Sequence, residues 1–205
     1  MVYNTSSFFY SPSGKKTPSE RAEMNCQSKM KPKKRKITNR WLLQLEAPER
    51  LIEWIKNKKE RDPLKILRLL TKDNADQIVW LITKIMQDKD CIAYAVYAAE
   101  QIIDIYEEQY PGNKRLRVAI EAAKRCRKKR TKENKAFARL IAKTILSSKI
   151  TGAAQSAALS AAYTAQAAAT ASLIMSRAAI LIAVNAASSA VKLKILAYGL
   201  DLLGV

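Results

Sequence analysis

Between Ile150 and Ser176 the chain runs 27 residues without a charged side chain, and 11 of them are alanine. Ala153-Ala154, Ala157-Ala158, Ala161-Ala162 and Ala165 recur every four residues, and Ala167, Ala168 and Ala169 continue the theme. A spacing of four sets these methyl groups along one side of an α-helix. Alanine has the best intrinsic helix propensity, and a ridge of small side chains lets a neighbouring helix come to the short end of the usual interaxial range of about 8–10 Å. The tract therefore predicts a tightly packed C-terminal helical hairpin. Between Ala153 and Tyr198 no Pro or Gly marks a turn, so the position of the bend is not readable. The alternative is a low-complexity tract without defined packing. A membrane-spanning helix needs about 20 predominantly apolar residues rich in Leu, Ile, Val and Phe. Here Ser, Thr and Gln fill much of the remainder, so a buried helix is expected and a membrane partner is not.

Upstream, from Trp41, the apolar residues keep a helical period. Pro48 suits a first helical position, with Leu51, Ile52 and Ile55 on one face. Asp62-Pro63 pairs a cap with a first-position proline ahead of Leu64, Leu67, Leu69 and Leu70; the proline's missing N–H costs nothing there. Asn74 or Asp73 can cap the helix carrying Ile78, Val79, Ile82, Ile85 and Met86. Asp90 can cap one that places Ile92, Ala95, Val96, Ala99, Ile103 and Tyr106 inward and ends at Pro111-Gly112-Asn113. Leu116, Ala119, Ile120 and Ala123 make the next stripe, and Phe137, Leu140, Ile141, Thr144 and Ile145 another. Both follow the i, i+3, i+4 rule. No segment alternates with period two over a useful length. The expected fold is all-α, a multi-helix bundle over residues 39–205 behind a disordered basic tail over residues 1–38.

The formal charge of +19 is unevenly spread. Residues 1–40 carry 10 basic and 2 acidic side chains, net +8; residues 41–110 carry 10 and 13, net −3; residues 111–149 carry 14 and 2, net +12; residues 150–205 carry 3 and 1, net +2. Such a balance raises nucleic acid, an acidic protein or an anionic surface as partners without bearing on the fold. The chain has no histidine, which removes the commonest general acid/base and the commonest zinc ligand. Three scattered cysteines, Cys26, Cys91 and Cys126, suit free thiols in a reducing cytoplasm better than a disulfide framework. No glycine-rich phosphate loop, G-x-S-x-G elbow or Cys/His pair is present, so a non-enzymatic protein without a cofactor or metal is expected. The N-terminus has no apolar run long enough for a signal-peptide core. Met24 and Met30 lie just ahead of the foldable part and offer alternative translation starts.

Four segments carry a family pattern. Trp80-Leu81-Ile82-Thr83-Lys84-Ile85-Met86 precedes Cys91-Ile92-Ala93-Tyr94-Ala95-Val96-Tyr97-Ala98-Ala99-Glu100. Next come Ile105-Tyr106-Glu107-Glu108-Gln109-Tyr110-Pro111 and Lys114-Arg115-Leu116-Arg117-Val118-Ala119-Ile120-Glu121-Ala122-Ala123. This succession, closing in an Ala-rich region, resembles an immunity-protein family of bacterial polymorphic toxin systems that also has relatives in phage genomes. The resemblance covers roughly residues 75–190. It departs at Leu116, where the family usually has Pro, and at Tyr163, which stands alone where relatives interleave many tyrosines. What the resemblance implies is a protein that neutralises a partner protein, a toxin, by binding it, with no catalytic residues.

Two charged sets are candidate sites. Glu100, Asp104, Glu107 and Glu108 fall at i, i+4, i+7 and i+8, hence on one helix face. They suit a basic partner or a divalent cation, or else internal pairing with Lys114, Arg115 and Arg117 beyond the Pro111-Gly112 turn. Glu121 is expected to pair with one of those arginines. The second set is Lys124, Arg125, Arg127, Lys128, Lys129 and Arg130, continued by Lys132 and Lys135. It suits phosphate neutralisation, or else solubility alone. No aromatic interleaves it, so stacking on single strands is not indicated. In the tail, Lys31-Pro32-Lys33-Lys34-Arg35-Lys36 reads as a nuclear-import signal in a host with a nucleus, and otherwise as a phosphate-binding arm. The leading expectation is an immunity-like protein that binds another protein. A nucleic-acid-associated accessory protein of phage origin is the second, and an oligomer packed through the Ala-rich helices the third.

Overall fold

A computed structural model describes residues 36–70 and 74–205, and Lys36–Val205 form one compact unit. Residues 1–35 of the expected tail, with Lys33, Lys34, Arg35, Cys26, Met24 and Met30, lie outside the described residues, as does Asp73. Residues 36–38, expected in the tail, instead join the folded unit: Ile37 is buried, its N–H donates to the Arg61 carbonyl at 2.8 Å, and Thr38 caps the first helix. Among the described residues every regular element is a helix, in the order α1 (Asn39–Gln44), α2 (Glu49–Lys58), α3 (Pro63–Leu69), α4 (Ala75–Ile85), α5 (Asp88–Glu100), α6 (Ile103–Gln109), α7 (Arg115–Lys128), α8 (Lys132–Leu146), α9 (Ala153–Thr170), α10 (Leu173–Ala186) and α11 (Ser189–Leu203). The fold is the all-α bundle that the periodicity predicts.

Local chemistry sets many of the boundaries. Asp62 accepts from the backbone N–H groups of Leu64 and Lys65 at 2.9 and 3.3 Å, with Pro63 at the first helical position, as its sequence predicts. Thr38, Thr131 and Ser172 cap α1, α8 and α10 in the same way. Asn74 holds the cap position of α4. Three boundaries differ from expectation. Pro48 is itself the cap residue of α2, one position earlier than predicted. Asp90 does not cap α5, which begins two residues before it behind Gln87; Asp90 instead sits in the first turn, where a carboxylate still favours the helix dipole. The single helix expected up to Pro111 is broken at Gln101-Ile102, where Ile102 (φ −118°, ψ 4°) leaves helical geometry. Ile102 and Ile103 are both buried, so the break lets two consecutive isoleucines enter the core.

The Ala-rich α9 is the axis of the bundle and packs against α5, α6, α7, α8 and α10. Ala154, Ala157, Ala158, Ala161, Ala162, Ala165 and the run 167–169 are all buried, as are Ser160 and Thr164. Enclosure by five helices is possible because methyl groups keep the axis thin. Its hydroxyls are satisfied by backbone: Ser160 donates to the Ala179 carbonyl of α10 at 3.0 Å, and Thr164 to the carbonyls of Ser160 at 2.8 Å and Ala95 of α5 at 3.3 Å. A serine hydroxyl reaches a neighbouring helix's backbone only when the two helices are close. The bend that no Pro or Gly announces falls at Ala171, which takes the left-handed conformation (φ 56°) before Ser172 starts α10. An Ala in that conformation costs about 1–2 kcal/mol. The predicted hairpin is α9–α10, and α11 follows as a separate helix.

α11 closes the bundle across α4 and α5. Gly199 makes that approach possible: a Cβ there would stand 2.6 Å from Cζ of the buried Tyr94. Tyr97 stacks on Tyr198 with ring centroids 4.0 Å apart. Among the described residues no helix is long and apolar enough to cross a membrane.

In α8 only part of the periodic stripe reaches the core. Ala138, Ala142 and Ile145 are buried, whereas Phe137, Leu140 and Thr144 are exposed and Ile141 is half-buried. Two apolar stripes coexist on this helix, and the one with small residues seats against α9. Alanine matched to alanine permits the closer approach, so Phe137 and Leu140 are turned outward while Ile145 stays buried.

Candidate interaction surface

Charged groups gather on α5–α8, and the fold sorts them into two regions. In the first, α7 runs past the ends of α5 and α6 and lays its cations against their carboxylates. Arg117 grips Glu107 with two bonds, Nε to Oε1 and Nη2 to Oε2, each 2.6 Å, and reaches Asp104 at 3.8 Å. Lys124 bridges Glu100 at 2.6 Å and Glu121 at 2.7 Å. The Arg117 guanidinium holds the Glu107 carboxyl below its ordinary value of 4.5, and Glu107 in turn raises Arg117. Hydrogen bonds to Glu100 and then Glu121 raise Lys124.

Of the acidic set, then, Glu100, Asp104 and Glu107 face cations of the same chain, while Glu108 is exposed and without an ion pair among the described residues. Glu121 pairs with Lys124, one turn along its own helix, and not with an arginine as expected: Arg117 is committed to Glu107, and a residue three positions away on a helix is the nearer neighbour. Lys114 and Arg115 are exposed at the start of α7. Among the described residues no group of three or more carboxylates and thiols is placed to hold a metal ion.

The second region is the end of α7 and the turn into α8. Arg125, Arg127, Lys128, Lys129 and Arg130 are all exposed, and none makes an ion pair among the described residues. The turn itself is pinned by the Asn134 amide donating to the Lys129 carbonyl at 2.7 Å. Lys132, Arg139 and Lys143 carry the positive charge along α8 beside its outward apolar stripe. Lys124, grouped with these cations by sequence, belongs to the paired region. Lys36 is exposed at the beginning of the described residues.

Sequence reasoning placed Phe137 and Leu140 in the core and so missed them as surface. The signal was present: Ala138, Ala142 and Ile145 at i, i+4 and i+7 offer a second stripe whose small residues match the ridge of α9. The thiols of Cys91 and Cys126 are buried: burial pushes Cys91 up to about 11 and raises Cys126, whose Sγ donates to the Ala168 carbonyl at 3.3 Å. Compared with known protein families, with curated proteins and with solved structures, the chain finds no match.

Proposed function

We propose that this chain is a non-enzymatic binding protein that neutralises a partner protein by occupying it, in the manner of immunity proteins, and that the outer face of α7 and α8 meets the partner. The sorting of charge supports this reading. Glu100, Asp104 and Glu107 of α5 and α6 are paired inside the chain by Arg117 and Lys124, while the five cations Arg125, Arg127, Lys128, Lys129 and Arg130 point to solvent without counter-charges among the described residues. Like charges at that density disfavour the helix end by a few tenths of a kcal/mol per pair, roughly, and a partner with negative charge relieves them. The ordered pattern from Trp80 to Ala123 that resembles the immunity family adds the role of neutraliser. Co-expression with the neighbouring open reading frame tests it: rescue of growth and co-purification are expected, and a neighbour that neither harms the cell nor co-purifies would remove the role.

A second reading, a nucleic-acid-associated accessory protein, is favoured by the same unpaired cations. It predicts affinity for generic duplex that falls linearly in a plot of log affinity against log salt. Affinity indifferent to salt, or none at low salt, would dispose of it.

A further inference from the structure

Resting on the protein-binding reading, we propose that α8 is the docking element and that its occupant is an acidic amphipathic helix of the partner protein. Along the solvent side of α8, Phe137, Leu140 and Thr144 form one strip at i, i+3 and i+7. Leu140 is 61% exposed and Phe137 39%. Thr144 presents its methyl group to the strip, since its hydroxyl is engaged with the Leu140 carbonyl at 3.0 Å. Lys132, Arg139 and Lys143, at i, i+7 and i+11, share the adjoining strip of the same helix and have no ion pair among the described residues. An apolar seam with a row of cations beside it fits a helix whose own apolar seam is edged by Asp and Glu. The 15 residues of α8 give such a partner about 22 Å of track.

Other occupants fit less well. A membrane surface needs a broad face of projecting apolar groups, and α8 offers only one that is largely exposed, Leu140 at 61%, with Phe137 at 39% and Leu146 at 42%. Nucleic acid would use the cations but gain nothing from Leu140 or Thr144, and Phe137 alone provides no run of stacking faces. A second copy of the chain meeting this one about a two-fold axis would set the same cations against themselves.

The experiment uses the full chain and a labelled designed peptide of about 18 residues, helical, with leucine on one face and glutamate elsewhere. Fluorescence anisotropy follows its binding. Comparison probes are the same peptide with serine for leucine, phosphatidylglycerol vesicles, and a short DNA duplex. The leucine–glutamate peptide is expected to bind at least about tenfold tighter than its serine counterpart, and Leu140→Ser to lose at least about tenfold, a difference of 1.4 kcal/mol. The paired variant Arg139→Glu/Lys143→Glu is expected to lose as much. Circular dichroism should show unchanged helix content, since all three side chains lie at the surface. Equal binding of the two peptides, indifference to Leu140→Ser, or tighter binding of vesicles or duplex would overturn the proposal. The broader reading fails separately. A neighbour-encoded protein that co-purifies equally with wild type and Leu140→Ser sinks the α8 site alone. Peptide binding that obeys these expectations without any co-purifying neighbour keeps the site and removes the immunity role.

Discussion

α8 and α9 lie against each other and meet through alanine on both sides, yet they end in opposite circumstances. On α9 the small residues go nearly all the way round, and the helix is enclosed by five others. On α8 the small residues occupy one strip only, and a second strip of larger apolar groups is left facing water. Between two stripes of similar periodicity, the one that reaches the neighbouring backbone is the one that packs. Hydrophobic content alone does not decide the inward face; side-chain size does, because dispersion contacts fall away steeply once a gap opens.

The largest expected effect comes from thickening the axis. Ala165→Leu should lower the unfolding free energy by about 3 kcal/mol, at the upper end of usual overpacking costs, as read from urea midpoints. A loss well under about 1 kcal/mol would mean that α9 is not enclosed as described. Next is the contrast within α8. Ala142→Leu on the inner strip should cost about 2 kcal/mol, whereas Leu140→Ala on the outer strip should stay within about 0.5 kcal/mol. A reversal of those two results would turn α8 over and return the periodic stripe to the core.

A smaller effect sharpens the comparison by moving to an interface where a large side chain packs on a glycine. The hydroxyls of Ser160 and Thr164 find backbone carbonyls across alanine-lined contacts, but the buried Tyr94 hydroxyl, where α5 meets α11, has no partner among the described residues. Tyr94→Phe removes that orphan group and should raise stability by about 1 kcal/mol in the same assay. Unchanged or lower stability would imply that the hydroxyl is satisfied after all.

The smallest effect concerns charge. Because Glu107 titrates below 4.5 in the folded chain, its contribution is fully present above that value and is lost as pH falls through the depressed one. Urea midpoints followed between about pH 6 and pH 3 should therefore fall less steeply in Glu107→Gln than in wild type. An identical slope would remove Glu107 from the acid response. The pair is exposed to solvent, so the difference will be largest at low salt.

Much of this was readable before any coordinates. The all-α fold, the Asp62-Pro63 helix start, the four-residue alanine ridge and the turn at Pro111-Gly112 follow from periodicity, capping chemistry and propensity, all of which act within a few residues. Pairing of the α6 carboxylates with a cation of α7 was also legible, because the turn between them is short. The bend at Ala171 was not, since nothing about an alanine announces a left-handed backbone. Nor was the break at Gln101-Ile102, which satisfies burial of both Ile102 and Ile103.

By itself the sequence determined that the chain would be helical, where its positive charge would gather, and that one helix would be thin enough to be surrounded. Only the tertiary structure decided which strip of α8 faces inward and which cations remain without counter-charges. The physical reason is that a helix carrying two apolar stripes is locally indifferent between them, and the choice is made by the shape of the surface it meets. Once the ridge of α9 selected the alanines, Phe137 and Leu140 were committed to the outside.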